Sequence, residues 1–483
     1  MATGSPQRFD RTVTEGPILH AVWRLAWPTV LQNAIAGLQG IIDHTMVGHY
    51  VGFTGNAAVG VSWQIFLVIV VFVSSLYTGM AVLVARFAGA HEPDKVNRVV
   101  YQAFLTSLVL ACVVLAPLGY VLAPHLLDMV NATAEVRAEA LPYLRIMFLF
   151  SVGMLMYFML GGALRAAGDA RTPLYLGIAI TVLNACLNIV LIRGLGPIPS
   201  FGTMGAAMGT VIATGFAAVI GLALLFSGRL PVRFSRGMSW RPDLTIVRSL
   251  FAFGLPAGFQ GVVMNIGGVL MLRFIGSLEH SAEAQAAYTV CYSELFALIT
   301  WTSNGLMGAA SVVAGQNLGA GRPDRTIRGV HLASRIGLGI AATVGLLFLL
   351  VPQRLMGIFG LEDPIVVQLG RQLLAYLSVS GLFISAALTY TGGLQGTGDT
   401  RSPFFISLAS QVVVPLGYCF MAQSWRGLQP HDVWLAIVLG HFTRAILSIV
   451  RFRQEQWRGI AVSLGGPAGD GRVSDAAALR PDV

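Results

Sequence analysis

Charge is what this sequence has least of. Only 11% of its 483 residues are Asp, Glu, Lys or Arg, against about 25% in a soluble domain. A hydrophobic share of 55% and a mean hydropathy of +0.72 accompany that scarcity, so a soluble globular chain is excluded. Cysteine is scarce too. Cys112, Cys186, Cys291 and Cys419 fall one to an apolar run with no metal-ligand spacing, and each reads as a small apolar filler. No Gly-x-x-x-x-Gly-Lys loop exists, which rules out an ATP-driven pump. No run carries the clustered acids, or the nucleophile with its base, that a membrane-embedded transferase would need. No enzyme activity, metal or cofactor is expected. A secretory leader is missing as well, since residues 1–20 are polar and the first apolar run is too long for one; the first helix is expected to be an uncleaved anchor.

What is present is a succession of apolar runs, such as 57–85, 99–127 and 402–425, long enough at 1.5 Å per residue to cross about 30 Å of hydrocarbon. They lack strict alternation and read as helices, not barrel strands. Twelve spans are expected, at roughly 22–46, 59–85, 99–123, 142–164, 174–192, 205–226, 249–273, 286–313, 329–351, 371–395, 404–423 and 432–450. The net charge of +9 does not point to nucleic acid, because its placement is one-sided. Arg24, Arg86, Lys95, Arg98, Arg165, Arg171, Arg229, Arg233, Arg322, Arg325 and Arg401 fall on the side of the chain ends, and the opposite loops hold fewer. The positive-inside rule then places both termini in the cytoplasm.

The chain is a duplication. Gly168-Asp169-Ala170-Arg171-Thr172-Pro173 returns in the second half as Gly398-Asp399-Thr400-Arg401-Ser402-Pro403. Gly89 to Lys95 with Arg98 matches Gly319 to Arg325 with Arg328 at the same offset, and Pro28 with Gln32 matches Pro256 with Gln260 at nearly that offset. A period this long means a repeated domain. Six crossings per copy make the copies parallel repeats about an axis along the membrane normal. The expected fold is an all-α polytopic membrane protein of two six-helix lobes. Its parts are a disordered cytoplasmic lead (1–20), an N-lobe (21–227), a basic cytoplasmic linker (228–248), a C-lobe (249–455) and a disordered tail (456–483). In each hexapeptide the Asp is suited to cap the following helix, with Pro in its first turn.

The first span carries Pro28, Gln32, Asn33, Gln39 and Asp43. At 100° per residue Gln32, Gln39 and Asp43 fall within an arc of about 40°, a polar stripe that cannot face lipid. An ionised carboxylate at mid-bilayer costs about 2.5–3.5 kcal/mol. Asp43 therefore either faces water or holds a proton, which makes it a candidate carrier. The plainer reading sets it about 28 Å above Arg24, at the outer interface beside His44 and His49. Glu294 in span eight is a second cation-coupling candidate, or a structural hydrogen-bonding group. Asn184 and Asn188, one turn apart on span five, are either interhelical glue or part of a site. Asn265 stands with Gln32, Gln39, Asn184 and Asn188 as a candidate cavity or network residue.

These motifs resemble the multidrug and toxic compound extrusion (MATE) family. The resemblance rests on Leu25-Ala26-Trp27-Pro28 with Asp43 and Val47-Gly48, and on Gly315-Gln316-Asn317-Leu318-Gly319-Ala320-Gly321. Leu164-Arg165-Ala166-Ala167-Gly168-Asp169 and Gly396-Thr397-Gly398-Asp399-Thr400 complete it, over about residues 20–455. It implies two lobes in a V, a cavity between them, and alternating access coupled to proton or sodium entry. In the DinF-like branch an acid in the first helix drives bending at its proline. That casts Asp43 as the acid and Pro28, with its counterpart Pro256, as hinges. Asn188 fits the helix-five pattern of that branch, but Ile192 stands where the branch often has an acid, a departure from it. Met264 stands where the NorM-like branch has a Glu, which places the chain nearer the DinF-like side.

The expected function is proton-coupled antiport of amphipathic, often cationic compounds by a monomer in the cell inner (cytoplasmic) membrane. Protons are favoured over sodium because so few acids offer a poor oxygen cage. The alternatives are a sodium-coupled exporter of the same family, a flippase for a lipid-linked saccharide and, less favoured, the transferase. A flippase would need arginines inside the spans, where only Arg273 and Arg335 come near.

Overall fold

The computed structural model of the protein describes residues 9, 11–130, 132–235, 237–460 and 462, with the side chains at 68–70 and 72–74 outside that description. Six helices form each copy of the repeat. α1 spans Ile18–Tyr50 and α2 Phe53–Gly89, α3 spans Pro93–Met129, and α4 is a pair, Ala134–Leu149 and Ser151–Ala166, bent by 52°. α5 is Arg171–Arg193 and α6 Gly202–Ser227. The second copy holds α7 (Leu244–Ile275), α8 (Ser281–Gly319), α9 (Pro323–Leu350), α10 (Pro364–Thr397), α11 (Arg401–Arg426) and α12 (Pro430–Arg453).

Among the described residues nine of these helices, or ten with the bent α4 taken as one span, are individually long and apolar enough to cross a bilayer. With α1 and α2, which are not among these, the two copies hold twelve helices. α1 is diluted by Gln32, Asn33, Gln39, Asp43 and His44, and α2 contains the six positions whose side chains are not described. No strand occurs among the described residues. The result is a polytopic all-α membrane protein of two lobes, α1–α6 and α7–α12.

Both hexapeptides do the same structural work. Gly168 and Gly398 take φ of +99° and +100°, a left-handed turn that a Cβ would strain. Asp169 Oδ1 then accepts from the backbone N–H of Arg171 and Thr172, each at 3.0 Å, and Asp399 Oδ1 accepts from Ser402 N at 3.1 Å. Each acid caps the next helix. Asp399 also accepts from Arg451 Nε of α12 at 2.9 Å.

The apolar cores show where the lobes join. On the side away from the chain ends each lobe has its own, one built on Phe66, Phe148 and Leu144, the other on Phe296, Leu377 and Trp434. On the side of the chain ends the cores are shared: Ile246 and Leu250 of α7 pack with Met80 and Leu83 of α2, and Val22 and Leu25 of α1 pack with Leu306 and Ala310 of α8. Glycines allow backbone to meet backbone at that seam. A Cβ on Gly89 would strike the Gln316 carbonyl, and one on Gly319 would strike the Arg86 carbonyl. Arg86 and Gln316, like Gly89 and Gly319, are equivalent positions of the two copies, so this pair of contacts maps onto itself under the repeat.

Three expectations at the edges change. The lead is not structureless throughout: Val13 and Thr14 are buried, and Asn317 Nδ2 and Arg322 Nη1 donate to the carbonyls of Val13 (3.2 Å) and Thr14 (2.7 Å). The tail likewise begins in contact, with Trp457 stacked on Phe452 and Arg86 Nη2 donating to the Ile460 carbonyl at 2.9 Å. Residues 1–8, 10, 461 and 463–483, to which the disorder expectation also applies, lie outside the described residues. The linker ends early, since α7 begins at Leu244. Leu230, Val232 and Phe234 of the linker enter the N-lobe core, and Gln102 of α3 brackets it by donating to Arg241 O and accepting from Asp243 N, both at 3.0 Å.

Candidate functional site

The polar stripe of α1 faces into the N-lobe, against α4 and α5. Gln32 Nε2 donates to the Tyr157 hydroxyl at 2.8 Å, and Gln32 Oε1 accepts from Arg165 Nη1 at 3.1 Å. Two turns on, Gln39 Oε1 accepts from Thr181 Oγ1 at 3.0 Å. At Asp43, Oδ1 accepts from Asn188 Nδ2 at 2.6 Å. The Asn184 amide lies between Asp43 and Thr210; the orientation that satisfies both has its nitrogen donating to Asp43 Oδ1 at 2.8 Å and its oxygen accepting from Thr210 Oγ1 and N at 3.2 Å. Asn184 and Asn188 are wholly buried. The buried Tyr143 of α4 lies within electrostatic range of Asp43.

The chemistry of this arrangement is specific. Two amide N–H groups converge on one carboxylate oxygen, and hydrogen bonds to an ionised acceptor are about twice as strong as neutral ones. Donors around a carboxylate hold it in place. They are the wrong polarity to help it ligate a cation, which needs a shell of oxygens. Among the described residues no group of three or more His, Cys, Asp or Glu side chains could hold a metal ion.

Of the residues singled out in the sequence, Gln32, Gln39, Asp43, Asn184 and Asn188 come together along one interface. Asn265 and Glu294 do not join them. Asn265 is exposed on α7 and donates to the Gly261 carbonyl of its own helix at 2.9 Å. Glu294 is exposed on a wide π turn of α8, Thr289–Leu295, and no hydrogen bond ties it to a neighbouring helix among the described residues. Pro28 is buried in α1, which runs over it without a break, and Pro256 stands likewise inside α7.

Tyr157, Arg165, Thr181 and Thr210 complete the site and were not expected there. Arg165 falls by sequence among the arginines on the side of the chain ends, yet its guanidinium turns inward to Gln32. The expectation that only Arg273 and Arg335 come near the spans also fails. Arg444 lies within α12 at 1% exposure, close to His441, whose Nδ1 pairs with Ser380 Oγ at 2.6 Å. A lone arginine in the middle of an apolar run was the signal for it.

Two repeats of six spans, joined on one side of the membrane and separate on the other, with polar side chains buried inside a lobe, define a membrane transporter. Comparison with known proteins agrees. The MatE family pattern matches residues 28–190 and 256–421. A probable multidrug resistance protein NorM of Deinococcus radiodurans is 29% identical, over 91% of this chain and 96% of its own length. That of Thermotoga maritima is 25% identical, over 91% and 93%. Among solved structures, the outward-facing conformation of a multidrug resistance MATE family transporter of the MOP superfamily superposes with a TM-score of 0.86 at 21% identity, over 94% of this chain and all of that one. The chain belongs to the MatE family, whose members are transporters and not enzymes.

Proposed function

We propose that this protein is a proton-coupled antiporter that exports amphipathic, often cationic small molecules, working as a monomer in the bacterial inner membrane with both termini in the cytoplasm. The observation that carries the proposal is Asp43, an acid inside the N-lobe held by the amides of Asn188 and Asn184. Proton uptake removes the charge that those donors serve, and proton release restores it. The state of one side chain is thereby tied to the packing of α1 against α5. The relatives named as multidrug resistance proteins support the substrate class. One proton moving down 100 mV releases about 2.3 kcal/mol, enough at about 1.36 kcal/mol per decade to sustain a gradient of roughly fifty-fold when efflux moves no net charge.

The test is dye efflux from proteoliposomes under an imposed pH gradient or an imposed sodium gradient. Only the pH gradient is expected to drive it, and Asp43→Asn is expected to abolish that activity while leaving expression intact. Efflux that needs sodium and survives a proton uncoupler would reverse the ion assignment. A second reading, translocation of a lipid-linked saccharide, draws support from Arg165 and Arg444, which put positive charge inside both lobes. A panel that includes a pyrophosphate-linked lipid decides between the two.

A further inference from the structure

The Gln32 contact has a counterpart in the other lobe. Gln260, four residues after Pro256 as Gln32 is four after Pro28, is buried at 6% exposure. Its Oε1 accepts from Gln395 Nε2 at 3.1 Å, and its own Nε2 donates to Ser407 Oγ at 2.9 Å. Arg165 and Gln395 occupy equivalent positions in the two copies, as the flanking hexapeptides show. Gly177, the position equivalent to Ser407, lies against the same glutamine: a Cβ there would sit 3.5 Å from Gln32 Cγ. In both lobes, then, the first helix presents a glutamine just past its proline. The residue three before the left-handed glycine of the hexapeptide donates to that glutamine's oxygen, and a hydroxyl takes its N–H. The N-lobe makes the bond with a guanidinium, the C-lobe with a neutral amide.

A side-chain amide engaged at both ends inside a protein is costly to release, because each freed group would stay buried without a partner. A proline lacks the N–H that would tie it back one turn, so α1 is weakest over Arg24 to Pro28, and the glutamine fastens the helix one turn beyond that point. α1 is the sensitive case. It is held to the N-lobe at Gln32, Gln39 and Asp43, and to the C-lobe through Asn33 Nδ2, which donates to the Trp301 carbonyl at 3.3 Å. Asp43 lies eleven residues past Gln32, about 16 Å along the axis, so a small change of angle at the proline becomes a large displacement at the acid.

We propose that Arg165 is a positioning residue: by donating to Gln32, with Tyr157 holding the other end of that amide, it clamps α1 to α4 beyond Pro28 and so sets Asp43 against Asn188. The clamp rests on the coupling reading only for its effect on transport. What it requires of Arg165 is the donated hydrogen bond, a task that Gln395 performs in the C-lobe without a charge.

The experiment uses the full chain in lipid nanodiscs, with spin labels at two exposed residues on the side away from the chain ends, Tyr50, the last residue of α1, and Ile198, just after α5. The unaltered clamp is expected to give one narrow distance distribution. Arg165→Met should broaden or shift it and slow exchange by about tenfold, the worth of one charge-assisted bond, whereas Arg165→Gln should keep the narrow distribution and exchange within about twofold. Gln32→Leu breaks the same bond from the other side and serves if Arg165→Met does not fold. A narrow, unmoved distribution in both bond-breaking variants overturns the proposal. So does Arg165→Gln behaving like Arg165→Met, since the charge and not the bond would then matter. The distance needs no ion gradient, so refuting proton coupling leaves this test standing.

Discussion

Asp43 on α1 and Asn188 on α5 are joined by a 2.6 Å hydrogen bond across the inside of the N-lobe. The bond ties the one polar stripe of the first helix to a wholly buried amide far along the chain. Whatever changes the charge on Asp43 changes the strength of this bond, since an amide donates more strongly to a carboxylate than to a carboxylic acid.

Asn188→Leu therefore removes a donor without touching the acid. The expected loss is about 1.5–3 kcal/mol of the interaction, read as a fall of roughly tenfold or more in pH-driven exchange. Folding should survive, because leucine is close in size and the site keeps Asn184. Exchange at the unaltered rate would separate Asn188 from the machinery of Asp43.

The glycine seam predicts a second effect. Gly89→Val or Gly319→Val would push a branched side chain into the opposing backbone, and overpacking of this kind costs about 1–3 kcal/mol. Because the clash exists only where the lobes meet beside the chain ends, each variant should open that side. The measure is labelling of a cysteine placed at Ala85, which is buried there at 2% exposure. Faster labelling than in the unaltered seam is expected, and equal labelling would show that the seam yields without parting.

The two caps are not equal. Asp169→Ala removes a helix cap, a loss of about 1 kcal/mol. Asp399→Ala removes the cap and also leaves Arg451 without the carboxylate it meets at 2.9 Å, so it should lower the thermal midpoint further than Asp169→Ala does. A larger drop for the first copy would reverse this ranking.

Much of this was legible beforehand for simple reasons. Apolar runs of bilayer length have one stable form, and a hexapeptide that returns at Gly398 after its first appearance at Gly168 shows the duplication directly. The stripe of Gln32, Gln39 and Asp43 was visible because helical spacing alone puts them on one face. Their partners were not. Tyr157, Thr181 and Thr210 are ordinary residues in apolar helices, and only packing brings them to the stripe. Arg165 was hidden by its address: an arginine at the chain-end terminus of a span normally turns to headgroups, and here it turns inward to a half-buried acceptor on Gln32. Glu294 drew attention as an acid in an apolar run, and the structure leaves it exposed on the wide turn of α8, apart from the stripe. The inner part of the lead is ordered where disorder was expected, because a polar stretch with no periodicity can still be held by its own carbonyls, as Val13 and Thr14 are by Asn317 and Arg322.

Those terminal segments are exchanged between the halves of the molecule. The stretch that leads into the first lobe is gripped by the second, and the stretch that leaves the second reaches back to Arg86 of the first. Swinging the halves apart on that face means unfastening two belts at once, each buckled to the far partner. Their cost falls only on parting the halves there, so trimming either end of the chain is expected to loosen that face first.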